Sequence, residues 1–205
     1  MLAVVINGSH GMEQLNQQLF LLLNSGAGHP GGWRSHLAVF LAEWLVWALP
    51  ALLLHLWFKG DFKVKKAAVG AGLSAVLALS AGGIIGWLHP HPRPFALGLG
   101  HLLVSHAPDA SLPSDHLTLW WGIALGLACS PHWRKIGLLL TLAGLVPAWA
   151  RIYVGVHFPL DMVAAFLVSL GASQAIRLYG RTGVARATLA GMHVQRLLLK
   201  RHVPG

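Results

Sequence analysis

Ala150-Arg-Ile-Tyr-Val-Gly-Val-His-Phe-Pro-Leu-Asp161 sets Arg151, His157 and Asp161 where one hydrophobic segment ends and the next begins. A cation, a base and a carboxylate are expensive beside lipid, so they need a pocket, an aqueous edge or a function. The chain around them is apolar: of 205 residues, 55% are hydrophobic and 10% charged, where a soluble domain carries about 25% charged residues. With a mean hydropathy of +0.61, the composition predicts an all-α, polytopic membrane helical bundle in one compact domain.

Outward from that stretch, the segments on either side read as Ile136–Trp149, interrupted by Pro147, and Leu160–Ile176. Three more precede them. His36–Phe58 is long enough as a helix for the roughly 30 Å hydrocarbon layer, and Pro50 is expected to kink it. Ala67–Leu88 is dense in Gly, Ala and Ser, which let helices approach closely in lipid. Leu117–Ser130 is short. The expectation is therefore about five spans, with the third and fourth ending in a recess lined by protein. Glu13–Asn24 places Leu15, Leu19, Leu22 and Leu23 at helical spacing among polar residues, as an N-terminal helix lying at the interface would. His89–Pro113 is a proline-rich connection with no continuous helix expected through it.

The formal charge of +9 is segregated. Lys59–Lys66, the Arg134–Lys135 loop and the tail from Arg177 onward carry all the Lys/Arg except Arg34, Arg93 and Arg151. That asymmetry predicts an inside C-terminus and an outside N-terminus. Residues 1–180 read as the membrane-embedded domain and 181–205 as a basic cytoplasmic tail, solvated or lying on anionic lipid. Nucleic-acid binding is not expected, since neither stacking aromatics nor a reading fold accompanies the charge. Met1–Asn7 lacks a basic n-region and cleavage signal, so no removable signal peptide is expected. The single Cys129 leaves no intrachain disulfide or multi-cysteine metal site and reads as an inert packed thiol.

This topology brings Arg93, Ser114, His116, Arg151, His157 and Asp161 to the outer face. Guanidinium forks suit phosphate oxygens, and Ser114 with the amides of a helix start near Asp115 completes an anion cradle. His157 and Asp161 are four residues apart, so the carboxylate can hold one ring nitrogen and leave the other free to attack. His116 is then the proton donor to the leaving oxygen. Two arginines beside a cation would repel it, so zinc on His116, His157 and Asp161 is not expected, and the chemistry needs no cofactor. Glu43, inside the first span, reads equally as a site residue or as a hydrogen-bonding partner of a neighbouring helix. His89 and His91 flank Arg93 as supporting groups or plain loop, and His106 and the other histidines read as structural or solvated.

Arg93-Pro94, Pro113-Ser-Asp-His116 and Arg151-x5-His157-x3-Asp161 together resemble the three signatures of the type 2 phosphatidic acid phosphatase family, which shares its fold and site with vanadium haloperoxidases. The resemblance covers roughly residues 86–169. It implies that His157 forms a phosphohistidine, Asp161 orients it, His116 protonates the leaving group, and Arg93, Ser114 and Arg151 bind phosphate. Gly86 stands where the first signature has lysine, Ala150 where the third has serine, and Asp115 where the second more often has glycine. The Pro-Ser-Asp-His form and the His-Pro-Arg-Pro-Phe context are similar to the bacterial undecaprenyl-diphosphate phosphatase branch. In that light Asp115 either shapes a diphosphate site or raises the basicity of a nearby histidine. The resemblance implies hydrolysis of a polyprenyl diphosphate lipid at the outer face of a bacterial cytoplasmic membrane. The alternatives are a phosphatase or phosphotransferase for another lipid phosphate (phosphatidylglycerophosphate, phosphatidate, the lipid A anchor) and a non-catalytic lipid transporter.

Overall fold

The computed structural model describes residues 2–28 and 31–200, and every regular element among them is helical. Residues 201–205 of the expected basic tail lie outside the described residues. Helix α1 (Leu2–Asn24) runs further toward the N-terminus than Glu13. Its leucines Leu15, Leu19 and Leu22 are exposed, while Asn16 and Asn24 are used by the rest of the chain. Asn16 Oδ1 accepts from Leu160 N at 3.0 Å. Asn24 Nδ2 donates to His101 O at 2.9 Å and Tyr153 O at 2.7 Å, and its Oδ1 accepts from His101 N.

Among the described residues, four helical segments are long and apolar enough to cross a membrane, not the five expected: Trp33–Lys59, Phe62–Leu88, Arg134–Tyr153 and Pro159–Tyr179. The first is two helices, α2 (Trp33–Glu43) and α3 (Ala48–Lys59), joined by the tight turn Leu45–Trp47. Pro50 does not kink the middle of a helix. It is the third residue of α3, where its missing N–H would have had no partner, and the break lies upstream because the proline ring excludes the carbonyl four residues back. After α4 (Phe62–Leu88) and α5 (Asp115–Ala128), the same rule divides the next span into α6 (Arg134–Ala143) and α7 (Leu145–Tyr153), with Pro147 third in α7 and the break at Gly144. Helix α8 (Pro159–Tyr179) is continuous.

Helix α5 is the segment that fails as a lipid-facing span. Its 14 residues rise only about 21 Å, and between Leu117 and Leu127 all but Leu119 are buried. It is the central helix, packed against α3, α4, α6 and α8, so protein rather than lipid is its solvent. Small residues allow this. A Cβ at Gly122 would stand 2.7 Å from Ala75 Cα, and one at Gly126 2.6 Å from Ala71 Cα, so α4 and α5 meet backbone to backbone. Where α6 ends, Trp120 donates its indole N–H to Leu140 O, which also accepts from Gly144 N, and Trp121 donates to Thr141 O, tying α5 to the end of α6.

The tail continues as helix α9 (Arg181–Lys200). Val184 and Thr188 are buried, α9 packs on α4 and α8, and Lys65 Nζ donates to Gln195 at 2.8 Å.

Candidate active site

Four chain segments deliver the polar groups to one end of the bundle. After α4 the backbone extends through Arg93 before the short turn Pro94–Leu97. Ser114 precedes α5 and Arg151 lies in the last turn of α7. Between α7 and α8 the chain doubles back at Gly155, whose φ of +90° favours glycine and whose missing Cβ leaves room for His101 O. Helix α8 then starts with Pro159 at its first position and Asp161 at its third, the arrangement that suits proline and an acidic capping side chain. Asp161 Oδ2 accepts from Phe158 N at 2.8 Å, so one carboxylate caps α8 and fixes His157.

His157 is 1% exposed and Asp161 fully buried. The ring Nδ1 lies 3.2 Å from Asp161 Oδ2, and Nε2 lies 3.1 Å from Arg93 Nη1. A carboxylate accepts only and a guanidinium donates only, so Nδ1 carries the proton and Nε2 presents its lone pair. Burial pushes the ring down to about 4, against the upward pull of the Asp161 hydrogen bond and charge. His157 is therefore neutral at neutral pH. For a reaction that uses the unprotonated ring, the acid limb of kcat/KM is expected near pH 4, not near the ordinary histidine value of about 6.5. A pH–rate profile checks this, with activity falling as pH drops through that limb.

The arginines are buried too. Arg93 donates from Nε to Asp109 Oδ1 at 2.7 Å, from Nη1 to Val156 O at 3.0 Å and from Nη2 to Ala110 O at 3.3 Å. Arg151 donates from Nη1 to Glu43 Oε1 at 2.5 Å, and its Nη2 lies 3.3 Å from His106 Nε2. Among the described residues at this end of the bundle, Arg151 Nε and Ser114 Oγ are buried without a hydrogen bond, as are Asp161 Oδ1 and His91 Nδ1. Ser114 makes no side-chain cap to α5. A buried unsatisfied polar group costs about 1–3 kcal/mol, a cost that an arriving oxyanion would remove at Arg151 Nε and Ser114 Oγ. His116 and Asp115 occupy the first turn of α5, and His116 is within electrostatic reach of Arg151, His157, His106 and Arg93.

Of the further residues at the site, the sequence singles out Glu43 but not Ser111, Asp109 or His106. Glu43, the last residue of α2, pairs with Arg151, so the intramembrane carboxylate belongs to the site's charge network and is also the interhelical partner. Ser111, Asp109 and His106 come from the proline-rich connection. Ser111 is fully buried, donates a short hydrogen bond to Asp161 Oδ2 and lies 3.3 Å from His157 Nδ1. Ser111 N donates to His91 O at 2.8 Å. Gly86 makes room for this segment: a Cβ there would approach Leu112 O to 3.3 Å and Ala110 Cβ to 3.6 Å. The connection packs against the position where the first signature has lysine. Arg93 holds the Asp109 carboxyl below its ordinary range: desolvation raises it, but the hydrogen bond and charge of Arg93, with His106, outweigh that. His91 supports the site differently, with its Nε2 3.6 Å from Glu13 and its ring edge on Phe158.

Because Ser111 donates to Asp161, its expected role is to position that carboxylate. Ser111→Ala is expected to lower kcat roughly tenfold, in line with about 1–1.5 kcal/mol for one such hydrogen bond, while KM stays within a factor of two. Ser111→Thr, which keeps the hydroxyl, is expected to recover most of the rate. Steady-state kinetics on the three proteins checks the split.

No group of three or more His, Cys, Asp or Glu side chains at metal-binding distance occurs among the described residues. The donor set is two guanidiniums, a hydroxyl and imidazoles, which is chemistry for an anion.

A buried histidine held by aspartate and faced by arginines, at the end of a helical membrane bundle, defines a phosphoryl-transfer site for lipids. The PAP2 superfamily profile matches residues 67–185, and the chain belongs to that superfamily, with the His/Asp/Arg set of its lipid phosphohydrolases. It is similar to BcrC of Bacillus subtilis (strain 168), an undecaprenyl-diphosphatase, with 32% identity over 76% of this chain and 79% of that protein. YbjG of Escherichia coli (strain K12), provisionally named an undecaprenyl-diphosphatase, is 35% identical over 78% of this chain and 79% of its own. Among solved structures, Aquifex aeolicus LpxE overlays with a TM-score of 0.61 and 30% identity, covering 80% of this chain and 94% of that one. The chain is a multi-pass protein of the bacterial inner membrane.

Proposed function

We propose that this protein hydrolyses a polyprenyl diphosphate, undecaprenyl diphosphate foremost, to the monophosphate and phosphate at the outer face of the membrane. The observation that carries the reading is His157, with Nδ1 on Asp161 and Nε2 on Arg93, at the end of the bundle where Ser114 Oγ and Arg151 Nε are buried without partners. The terminal phosphate lies against Arg93, Arg151, Ser114 and the first amides of α5, with Asp115 at the rim. The Nε2 lone pair of His157 forms the N–P bond in line as the P–O bond to the lipid monophosphate breaks. The leaving oxygen takes the electron pair and a proton from His116. Water then attacks the phosphohistidine, His116 recovers a proton, the N–P electron pair returns to His157 and phosphate departs. The arginines stabilise the charge spread over the phosphoryl oxygens.

In this reading α5 is a fifth crossing made through protein rather than lipid. It starts at the same end of the bundle as the last turn of α7 and the first of α8, so α6 must begin at the other end. Residues 1–180 carry the phosphatase unit and 181–205 the cytoplasmic side. The likenesses to BcrC and YbjG support the diphosphate lipid.

Phosphate release from undecaprenyl diphosphate, phosphatidylglycerophosphate, phosphatidate and a lipid A phosphate, with the full chain in detergent and with and without EDTA, tests the reading. Undecaprenyl diphosphate is expected to turn over fastest, unaffected by EDTA. The overlay with LpxE favours a second reading, a phosphatase or phosphotransferase for another lipid phosphate. Faster release from one of the other lipids would select it.

A further inference from the structure

We propose that His106, held between Arg151 and Asp109, binds the second phosphate of a diphosphate head group, the one that departs with the lipid. The inference rests on the diphosphate reading above and adds a residue that decides between diphosphates and monophosphates. In an in-line displacement the attacking and leaving atoms stand on opposite sides of phosphorus. With His157 on one side, the leaving phosphate lies on the side of His116, the proton donor.

His106 is held against Arg151, within electrostatic reach of that proton donor. Its Nε2 is 3.3 Å from Arg151 Nη2, its Nδ1 is 3.1 Å from Ala107 O and 3.8 Å from Asp109 Oδ1, and it is within electrostatic reach of both His116 and Asp115. Its side chain is 21% exposed, so it stands at the mouth of the pocket and not in its floor. The Nδ1 proton is directed to Ala107 O, which leaves Nε2 facing Arg151. An anion that takes that face of Arg151 also meets His106 Nε2, a donor whenever that nitrogen carries hydrogen, with the Asp109 carboxylate 3.8 Å from Nδ1. A monophosphate has nothing to place there once its one phosphate lies against His157.

The test uses the purified full chain, farnesyl diphosphate as the turned-over substrate, and two inhibitors, methylenediphosphonate and orthophosphate. Wild type is expected to bind the diphosphonate about tenfold or more tightly than orthophosphate, the worth of one charge-assisted hydrogen bond. His106→Ala is expected to bring the two inhibition constants to within about twofold, and His106→Gln, a donor without charge, to fall between. Gel-filtration profiles report whether each variant is folded, and the glutamine variant carries the comparison if alanine is not tolerated. If wild type turns over no diphosphate, the parent reading fails and this one with it. If turnover proceeds but wild type shows no preference for the diphosphonate, or the folded variants keep it undiminished, the subsite assignment is overturned while the hydrolysis stands.

Discussion

His157→Ala is expected to lower kcat on the preferred lipid by on the order of 10^4-fold or more, the scale seen when a covalent nucleophile is removed. The residual rate would come from the arginines and Ser114 still polarising bound phosphate. The fold should persist, because the elements around the ring are held by other contacts: Asp161 still caps α8 through Phe158 N, Ser111 still donates to Asp161, and Arg93 keeps Asp109, Val156 O and Ala110 O. Purified variant protein with an unchanged melting profile and a rate near wild type would exclude His157 as the attacking group.

The second large effect separates charge from geometry at Asp161. One oxygen of this carboxylate receives Ser111 Oγ, His157 Nδ1 and Phe158 N together. Asparagine can place its carbonyl oxygen there, so Asp161→Asn keeps the cap and the ring orientation but removes the negative charge that balances a histidine becoming cationic at Nε2. A loss of roughly 10^2- to 10^4-fold in kcat is expected, with KM and melting temperature little changed. Asp161→Ala removes the cap as well and is expected to cost about 1 kcal/mol of stability in addition. If asparagine keeps full activity while alanine loses it, Asp161 serves as a scaffold and its charge does not enter the chemistry.

What the sequence made legible follows physical lines. Arg93, Ser114, Arg151, His157 and Asp161 were readable because charged and polar types cluster at the ends of apolar runs, and the structure puts these five at one end of the bundle with His116 and Asp115 beside them. Ser111, Asp109 and His106 were not, because they sit in a connection with no periodicity, where only the folded path against Gly86 shows which side chains turn inward. Glu43 stood out as an intramembrane carboxylate, yet its partner Arg151 is 108 positions away, a separation that no local pattern encodes. Asn24 reads as a helix end and proves to bind the backbone at His101 and Tyr153. Hydropathy overcounted the lipid-facing spans by one, because burial in protein and burial in lipid select the same residue types. The helices of the broken spans start two residues ahead of Pro50 and Pro147, since the ring's clash falls on the preceding turn.

In the proposed mechanism His157 takes the phosphoryl group. Acid-free quenching of turnover on a lipid diphosphate labelled at its terminal phosphate, followed by peptide mapping, reads that intermediate directly. Label on the peptide carrying His157, absent in His157→Ala, is the predicted result; rapid phosphate release by wild type with no protein-bound label at any quench time would contradict it.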